Sequence, residues 1–109
     1  MGLHEYNYIL TDAAITDIDE ILSYISGELL NPVAANAFMD NLEEKINEVC
    51  KNPNSGRIID NDFLKMEGVR RFLVNNYIGY YAVKQEDSLV IILRIVYVKQ
   101  DQDKVINDL

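Results

Sequence analysis

Two adjacent arginines followed by several tyrosines are the residues of this sequence whose types and spacing could do chemistry on an anionic target. Arg70 and Arg71 begin an apolar stretch, VRRFLVNNYIGYY, that also carries Tyr77, Tyr80 and Tyr81. Guanidinium groups bind phosphate or carboxylate through a rigid fork of N–H donors, and tyrosine rings can stack on unpaired bases. The same pattern is typical of a strand with one solvated arginine, one arginine paired with an acid, and tyrosines in the core. On spacing alone, we favour this structural interpretation.

The charge of the chain limits which anionic targets are plausible. Its formal net charge is -8, with 10 basic and 18 acidic residues. Residues 1–68 hold 13 acidic and four basic residues, whereas residues 69–109 hold five acidic and six basic ones. An acidic protein repels nucleic acid at long range. Any contact with a polyanion would therefore have to use residues 69–109.

Metal and redox chemistry are not expected. The chain has one cysteine and one histidine, and Cys50 with His4 cannot build a zinc site or a disulfide. Cys50 falls on the apolar face of a predicted helix, so we expect it in the core, and His4 lies too near the terminus to be a good acid or base. The sequence has no nucleophile–base pair, phosphate-binding loop or carboxylate dyad. We therefore predict no metal and no cofactor.

The N-terminal half predicts one strand and two helices. Glu5 to Leu10 is short and rich in Tyr and Ile, as strands are. Thr11 is an N-cap for a first helix, and Asn31 with Pro32 begins a second helix that ends at Asn52-Pro53. The first apolar stripe is Ile15, Ile18, Leu22, Ile25 and Leu29, and the second is Phe38, Leu42, Ile46 and Val49.

The C-terminal part predicts three strands in a meander: Val69 to Val74, Tyr77 to Lys84 and Leu89 to Val98. Residues 52–57 have turn composition, 58–68 form an irregular connection, and the tail after Val98 is either a short helix or frayed. The last strand is almost wholly apolar, so it should be central.

Alternation along these strands assigns side chains to faces. In the first strand, Arg71 and Leu73 share one face, opposite Arg70, Phe72 and Val74. In the last strand, Arg94 shares a face with Val90, Ile92, Val96 and Val98. An arginine among aliphatic residues needs a carboxylate partner or an exit at the sheet edge, so a buried ion pair is the favoured interpretation of Arg94 and a ligand contact is the alternative.

These elements predict an α+β fold in which a helical hairpin packs on one face of a mainly antiparallel sheet and leaves the other face partly open. Residues 1–109 should form one domain. No apolar run is long enough to span a membrane, and MGLHEYNYIL lacks the basic flank of a signal peptide, so we expect a cytoplasmic protein.

The order of these parts resembles the RelE/ParE superfamily, the toxins of bacterial type II toxin–antitoxin modules. The resemblance covers nearly the whole chain. The family pattern has "NP-A" at the start of the second helix, "P-x-x-G" after its end, a "G-x-R…V-x-x-Y-x-x-x-Y" hairpin and an "I-x-R-V" last strand. The matching residues here are Asn31, Pro32, Ala34, Pro53, Gly56, Gly68, Arg70, Val74, Tyr77, Tyr81, Ile92, Arg94 and Val96.

The resemblance implies a toxin that is neutralised by a cognate antitoxin, with a role in plasmid stabilisation and growth inhibition. One branch of the superfamily, typified by RelE, cleaves mRNA in the ribosome, and the ParE-like branch poisons DNA gyrase without cleaving anything itself. This chain lacks groups of the nuclease pattern: Ile78 replaces an arginine, Gln100 a second base and Tyr97 a histidine, and the tail has no Tyr or His. We therefore favour the gyrase poison, which would not be an enzyme. A ribosome-dependent mRNA endonuclease and a degenerate non-toxic relative that only binds antitoxin are the alternatives.

The resemblance also implies candidate site residues. If the chain were a nuclease, Arg70 and Lys99 would contact the phosphate and Tyr97 would be the acid. Candidates for target binding are Arg70, Arg71, Tyr77, Tyr81, Arg94 and Lys99. The antitoxin should lie along the helical hairpin and the sheet edge, with apolar anchors contributing more than net charge. A homodimer and a toxin–antitoxin hetero-oligomer both remain open.

Overall fold

A computed structural model describes residues 5–109, so His4 lies outside the described residues. The predicted order of one strand, two helices and three strands is confirmed, a short strand is added, and the tail forms a short helix, one of the two forms expected for it. The elements are β1 (Asn7–Leu10), α1 (Asp12–Ser23), α2 (Pro32–Lys51), β2 (Arg57–Ile58), β3 (Arg70–Val74), β4 (Tyr77–Lys84), β5 (Leu89–Tyr97) and α3 (Gln102–Asn107).

Helix α1 begins as its sequence predicts and ends differently. The Thr11 hydroxyl accepts a hydrogen bond from the Ala14 amide (3.1 Å) and so caps the helix. After Ser23 the chain continues as a π-helical turn over Tyr24–Glu28. The wider turn changes the direction of the residues that follow, so Leu29, predicted on the apolar stripe, is 55% exposed. Ile15 is also exposed, because the buried face centres on Ala14 and Ile18.

Helix α2 follows the prediction closely. Asn31 Oδ1 accepts from the Ala34 amide (3.0 Å), Pro32 occupies the first turn, and Phe38, Leu42, Ile46 and Val49 are buried. Cys50 at its end is buried as well, and burial raises the pKa of its thiol, with the charge of Glu5 adding to the effect.

The five strands form one sheet in the order β1-β5-β4-β3-β2, and only β1 and β5 run parallel. The last strand was predicted to be central, and β5 indeed has a neighbour on each side, β1 and β4. Strand β2 was missed, because its two residues, Arg57 and Ile58, are too few to show alternation. Its pairing with β3 is what makes it a strand.

Both faces of the sheet carry a core. The larger one lies between the sheet and helices α1 and α2, on the side of the sheet that we call the helix face. It includes Phe38, Leu42, Phe72, Tyr81 and Ile92. The opposite face, which we call the open face, is partly covered by α3 and the β2–β3 connection. Its smaller core consists of Val69, Ile78, Tyr80, Val96, Val105 and Ile106.

A β-bulge in β5 overturns the predicted face of Arg94. Tyr81 pairs with Ile92 and Tyr80 pairs with Arg94, so Leu93 is one residue extra. Arg94 and Val96 therefore stand on the open face with Tyr80, whereas Val90 and Ile92 stand on the helix face. Strict alternation cannot anticipate such an insertion, because both strands remain apolar through it.

None of the helices within residues 5–109 is long and apolar enough to cross a membrane.

Candidate functional site

The fold separates the predicted site residues into two groups and two single residues. Tyr77, Tyr97 and Arg94 line a groove between α1 and the ends of β4 and β5. Arg70 and Tyr81 lie together beside the loop that follows α2. The remaining two are apart from both groups: Arg71 is on the open face, and Lys99 is in the exposed turn after β5.

Arg70 and Tyr81 hold the loop between α2 and β2. Arg70 Nη1 donates to the carbonyl oxygens of Asn54 (3.0 Å) and Gly56 (2.7 Å). The Tyr81 hydroxyl donates to the Pro53 carbonyl (2.8 Å) and accepts from the Gly56 amide (3.0 Å). We call this hydrogen-bonded set, formed by Pro53, Asn54, Gly56, Arg70 and Tyr81, the loop clamp. Tyr81 is completely buried, so it supports the fold and presents no surface to a partner.

Glycine is required in the loop clamp. A Cβ atom on Gly56 would collide with the Tyr81 hydroxyl and with the backbone oxygen of Arg71. Burial raises the pKa of Tyr81, while the Gly56 amide and the charge of Arg70 act in the opposite direction. The hydroxyl therefore stays protonated and keeps its donor role at neutral pH.

The groove has a volume of about 570 Å³. Three tyrosines converge on it. The Tyr77 ring meets the Tyr97 ring edge to face at 5.8 Å, and burial together with the nearby Tyr97 and Tyr24 hydroxyls raises the pKa of Tyr77. Tyr24, Leu29 and Tyr97 are 52%, 55% and 43% exposed. This exposed aromatic and apolar lining suits a protein segment better than a small polar ligand.

An ion pair forms one wall of the groove. Arg94 Nε and Nη2 donate to Asp17 Oδ2 (2.6 Å) and Oδ1 (2.9 Å), and Asp17 Oδ2 also accepts from the Ile95 amide (3.0 Å). Strand β1 ends at Leu10, so the Ile95 amide has no strand partner on that side and the carboxylate replaces one. The hydrogen bond with Asp17 raises the pKa of Arg94. The ion pair favoured for Arg94 is thus present, with Asp17 as the acid.

The three groups proposed for a nuclease do not meet. Tyr97 pairs with Tyr77, which pairs with Val74, whereas Arg70 is at the other end of β3. Arg70 and Val74 are four residue steps apart along β3, which is roughly 13 Å at ~3.3 Å per residue. Arg70 Nη1 is also occupied by carbonyl groups. Arg70 and Tyr97 therefore cannot act on one phosphate in this conformation.

Three residues that matter to these surfaces were not among the candidates. Asp17 lies on the same side of α1 as Ala14 and Ile18, and an acid at that spacing was the available signal. Tyr24 becomes accessible through the π turn, and Arg57 joins the sheet through β2. Neither of these two placements leaves a pattern in the sequence.

Known proteins share the observed fold, and one family of sequences matches most of the chain. The sequence profile of the family described as ParE toxin of type II toxin–antitoxin system, parDE, matches residues 8–102. No curated protein matches the chain significantly.

Several solved structures are similar. The chromosomal ParDE toxin–antitoxin system from P. aeruginosa has a chain with 22% identity and a TM-score of 0.67, over 88% of this chain and 99% of that one. A chain of the RelBE2 complex from Mycobacterium tuberculosis has 19% identity and a TM-score of 0.61, over 86% of this chain and 99% of that one. A double mutant of the E. coli toxin RelE in the free state has 12% identity and a TM-score of 0.66, over 96% of each chain.

At these low identities the solved structures show that the fold is shared. The family is shown by the profile match. The match runs from β1 to the first residue of α3, so it includes the loop clamp and the Asp17–Arg94 pair. This chain belongs to the ParE toxin family of type II toxin–antitoxin systems.

Proposed function

We propose that this protein is a ParE-like toxin that inhibits DNA gyrase by binding it and is neutralised by a cognate antitoxin. The separation of Arg70 from Tyr97 is the observation that carries the choice of target. In-line cleavage of RNA needs several preorganised groups around one phosphate, and the loss of each donor costs about 3 kcal/mol of transition-state stabilisation. A binding protein has no such requirement.

The groove is the proposed site for the antitoxin. Its exposed Tyr24, Leu29 and Tyr97 are the kind of aromatic and aliphatic anchors that dominate interface energies. Leu30 and Val33 follow Leu29 at the tip of the helical hairpin and are 81% and 78% exposed. An antitoxin segment with an apolar face would cover these side chains as a helix lying in a groove.

The target is tested by giving the purified protein two substrates. Gyrase supercoiling should be blocked, or cleaved DNA trapped, while mRNA in an in vitro translation mixture stays intact. Codon-specific mRNA cuts that disappear in Arg70→Ala would show the nuclease instead. Since Arg70 belongs to the loop clamp, its variant must first be shown to fold, for example by an unchanged circular dichroism spectrum.

The toxin and its antitoxin are tested in a bacterial host. Induction of this chain should stop growth, and co-expression of the small gene beside it should restore growth. Unaffected growth on induction of the chain alone would contradict the toxin proposal and favour a relative that only binds antitoxin.

The antitoxin site is tested with matched leucine variants. Leu30→Asp should weaken the complex by at least tenfold, since a charged side chain in an apolar interface costs more than about 1.4 kcal/mol. Leu73→Asp is the control, because Leu73 is also exposed, at 57%, but stands on the open face of β3. Equal binding by both variants would exclude the hairpin tip from the interface.

A further inference from the structure

The open face holds a cleft between β2, β3 and α3, which we call the arginine cleft. Its volume is about 280 Å³, and Arg57, Arg71, Tyr80 and Gln102 line it. Arg57 and Arg71 are direct cross-strand partners in the β2–β3 ladder, so their side chains leave the sheet on the same face. Like charges placed opposite each other in a sheet destabilise it, so this pairing does not serve the fold.

Both guanidinium groups have donors to spare. Within residues 5–109, neither Arg57 nor Arg71 has a hydrogen-bond or ion-pair partner, whereas Arg70 and Arg94 both do. Arg57 is exposed and Arg71 is partly buried. Two adjacent sets of free N–H donors form a site for an oxyanion.

The inner wall of the cleft is held in place. The Tyr80 hydroxyl donates to Gln102 Oε1 (2.6 Å), and Gln102 Nε2 donates to the carbonyl oxygens of Tyr97, Val98 and Gln100. Tyr80 pairs with Arg71 across β3 and β4 and is 1% exposed, so its ring is a fixed wall beside Arg71. The arginines therefore project from a rigid surface, which lowers the entropy lost on binding.

The surroundings distinguish among oxyanions. Asp60 lines the cleft, and Asp103 accepts a hydrogen bond from Asn61 at its border. These two acids, together with the net charge of -8, repel a nucleic acid backbone with its closely spaced phosphates. One isolated carboxylate carries a single charge, so these acids repel it less than a run of phosphates, while it gains the donors of both arginines.

Apolar side chains complete the lining. Ile59 and Ile106, which pack in the smaller core of the open face, border the cleft, and Ile59 is partly exposed. A ligand group that enters the cleft would place its neighbours on these isoleucines. Free phosphate or acetate has no neighbours that could use such a contact, whereas a residue within a peptide does.

From these observations we propose that the arginine cleft binds a partner protein through one aspartate or glutamate side chain flanked by apolar residues. This site goes beyond the proposed function, because it is separate from the groove and requires neither gyrase nor an antitoxin to be demonstrated. Charge-assisted hydrogen bonds from Arg57 and Arg71 would hold the carboxylate, and Ile59 would contact the residue beside it.

The test is an NMR titration of the full chain with the peptide Ac-ALELA-NH2 and its neutral twin Ac-ALQLA-NH2. The Nε–Hε signals of Arg57 and Arg71 should shift saturably with the glutamate peptide only. The Arg70 signal serves as the internal reference, because that side chain is engaged in the loop clamp. Shifts of equal size with both peptides, or no saturable shift with either, would overturn the proposal.

Variants and a competing polyanion complete the test. Arg71→Gln and Arg57→Gln should each weaken the glutamate peptide at least about tenfold, as the loss of a charge-assisted contact does, with the amide spectrum unchanged. Undiminished affinity in both variants would refute the site. A 12-nucleotide single-stranded DNA that saturates the same arginine signals more tightly than the peptide would replace the protein segment with nucleic acid and so contradict the proposal.

Discussion

Arg70 and Arg71 are neighbours in the sequence, yet they belong to two regions with opposite properties. Arg70 faces the helices and donates to two carbonyl groups of the loop clamp. Arg71 faces the other way, into the arginine cleft, where a second positively charged side chain, Arg57, lies opposite it. The side chains are chemically identical, so the difference comes entirely from what each face of β3 places opposite them.

The loop clamp also explains why the family was easier to identify than the target. Pro53, Gly56, Arg70 and Tyr81 are four of the positions that carry the resemblance, and hydrogen bonds join all four into one loop-holding cluster. Arg94, another such position, is paired with Asp17. These motif positions therefore specify how the fold is held together, whereas the exposed side chains that we propose as partner contacts, such as Leu30 and Arg57, are not among them.

The largest loss of stability is expected at Arg94, whose guanidinium makes two hydrogen bonds to one carboxylate. Arg94→Ala leaves Asp17, which is 9% exposed, with a charge and no guanidinium, so unfolding free energy should fall by about 3 kcal/mol. Urea denaturation measures this. A loss below about 1 kcal/mol would mean that solvent replaces Arg94 and that the pair is a surface feature.

The second prediction separates the two neighbours directly. Arg70→Ala removes two charged hydrogen bonds and leaves loop carbonyls unpaired, so stability should fall by about 2 kcal/mol. Arg71→Ala, its matched control, breaks no hydrogen bond and relieves the repulsion from Arg57, so it should not lower stability. Equal losses in the two variants would break the distinction between the faces of β3.

Tyr81→Phe tests the other half of the loop clamp and has a pH signature. Removing the hydroxyl deprives Pro53 and Gly56 of partners, at a cost of about 1 kcal/mol near neutral pH. The pKa of Tyr81 is raised in the fold, so above about pH 10 the unfolded wild type loses a proton that the folded state keeps. Wild-type stability falls there, and the gap between wild type and Tyr81→Phe should narrow. A gap that widens from pH 9 to 11 would contradict the assignment.

The smallest effect is expected in the arginine cleft. Arg57→Gln relieves the repulsion from Arg71 and should raise stability by ~0.2–1 kcal/mol. Thermal unfolding at low salt measures it, and added salt should shrink the gain because it screens the two charges. A clear loss of stability would mean that Arg57 has a structural role after all.

The sequence alone determined the elements whose signals are local. The caps Thr11 and Asn31, the stop at Asn52-Pro53 and the alternating strands of the hairpin each depend on contacts within a few residues, and all were found where predicted. The α+β class followed from their order. Local physics was sufficient because each signal involves residues close in the chain.

Tertiary structure alone decided the features that depend on contacts between distant residues. The bulge at Leu93 moved Arg94 to the other face, the π turn exposed Leu29, and β2 placed Arg57 opposite Arg71. Asp17 and Arg94 are far apart in sequence, and no local pattern pairs them. A strand's register and a charge's partner are set by which segments meet across the core, and that is why they could not be deduced from spacing.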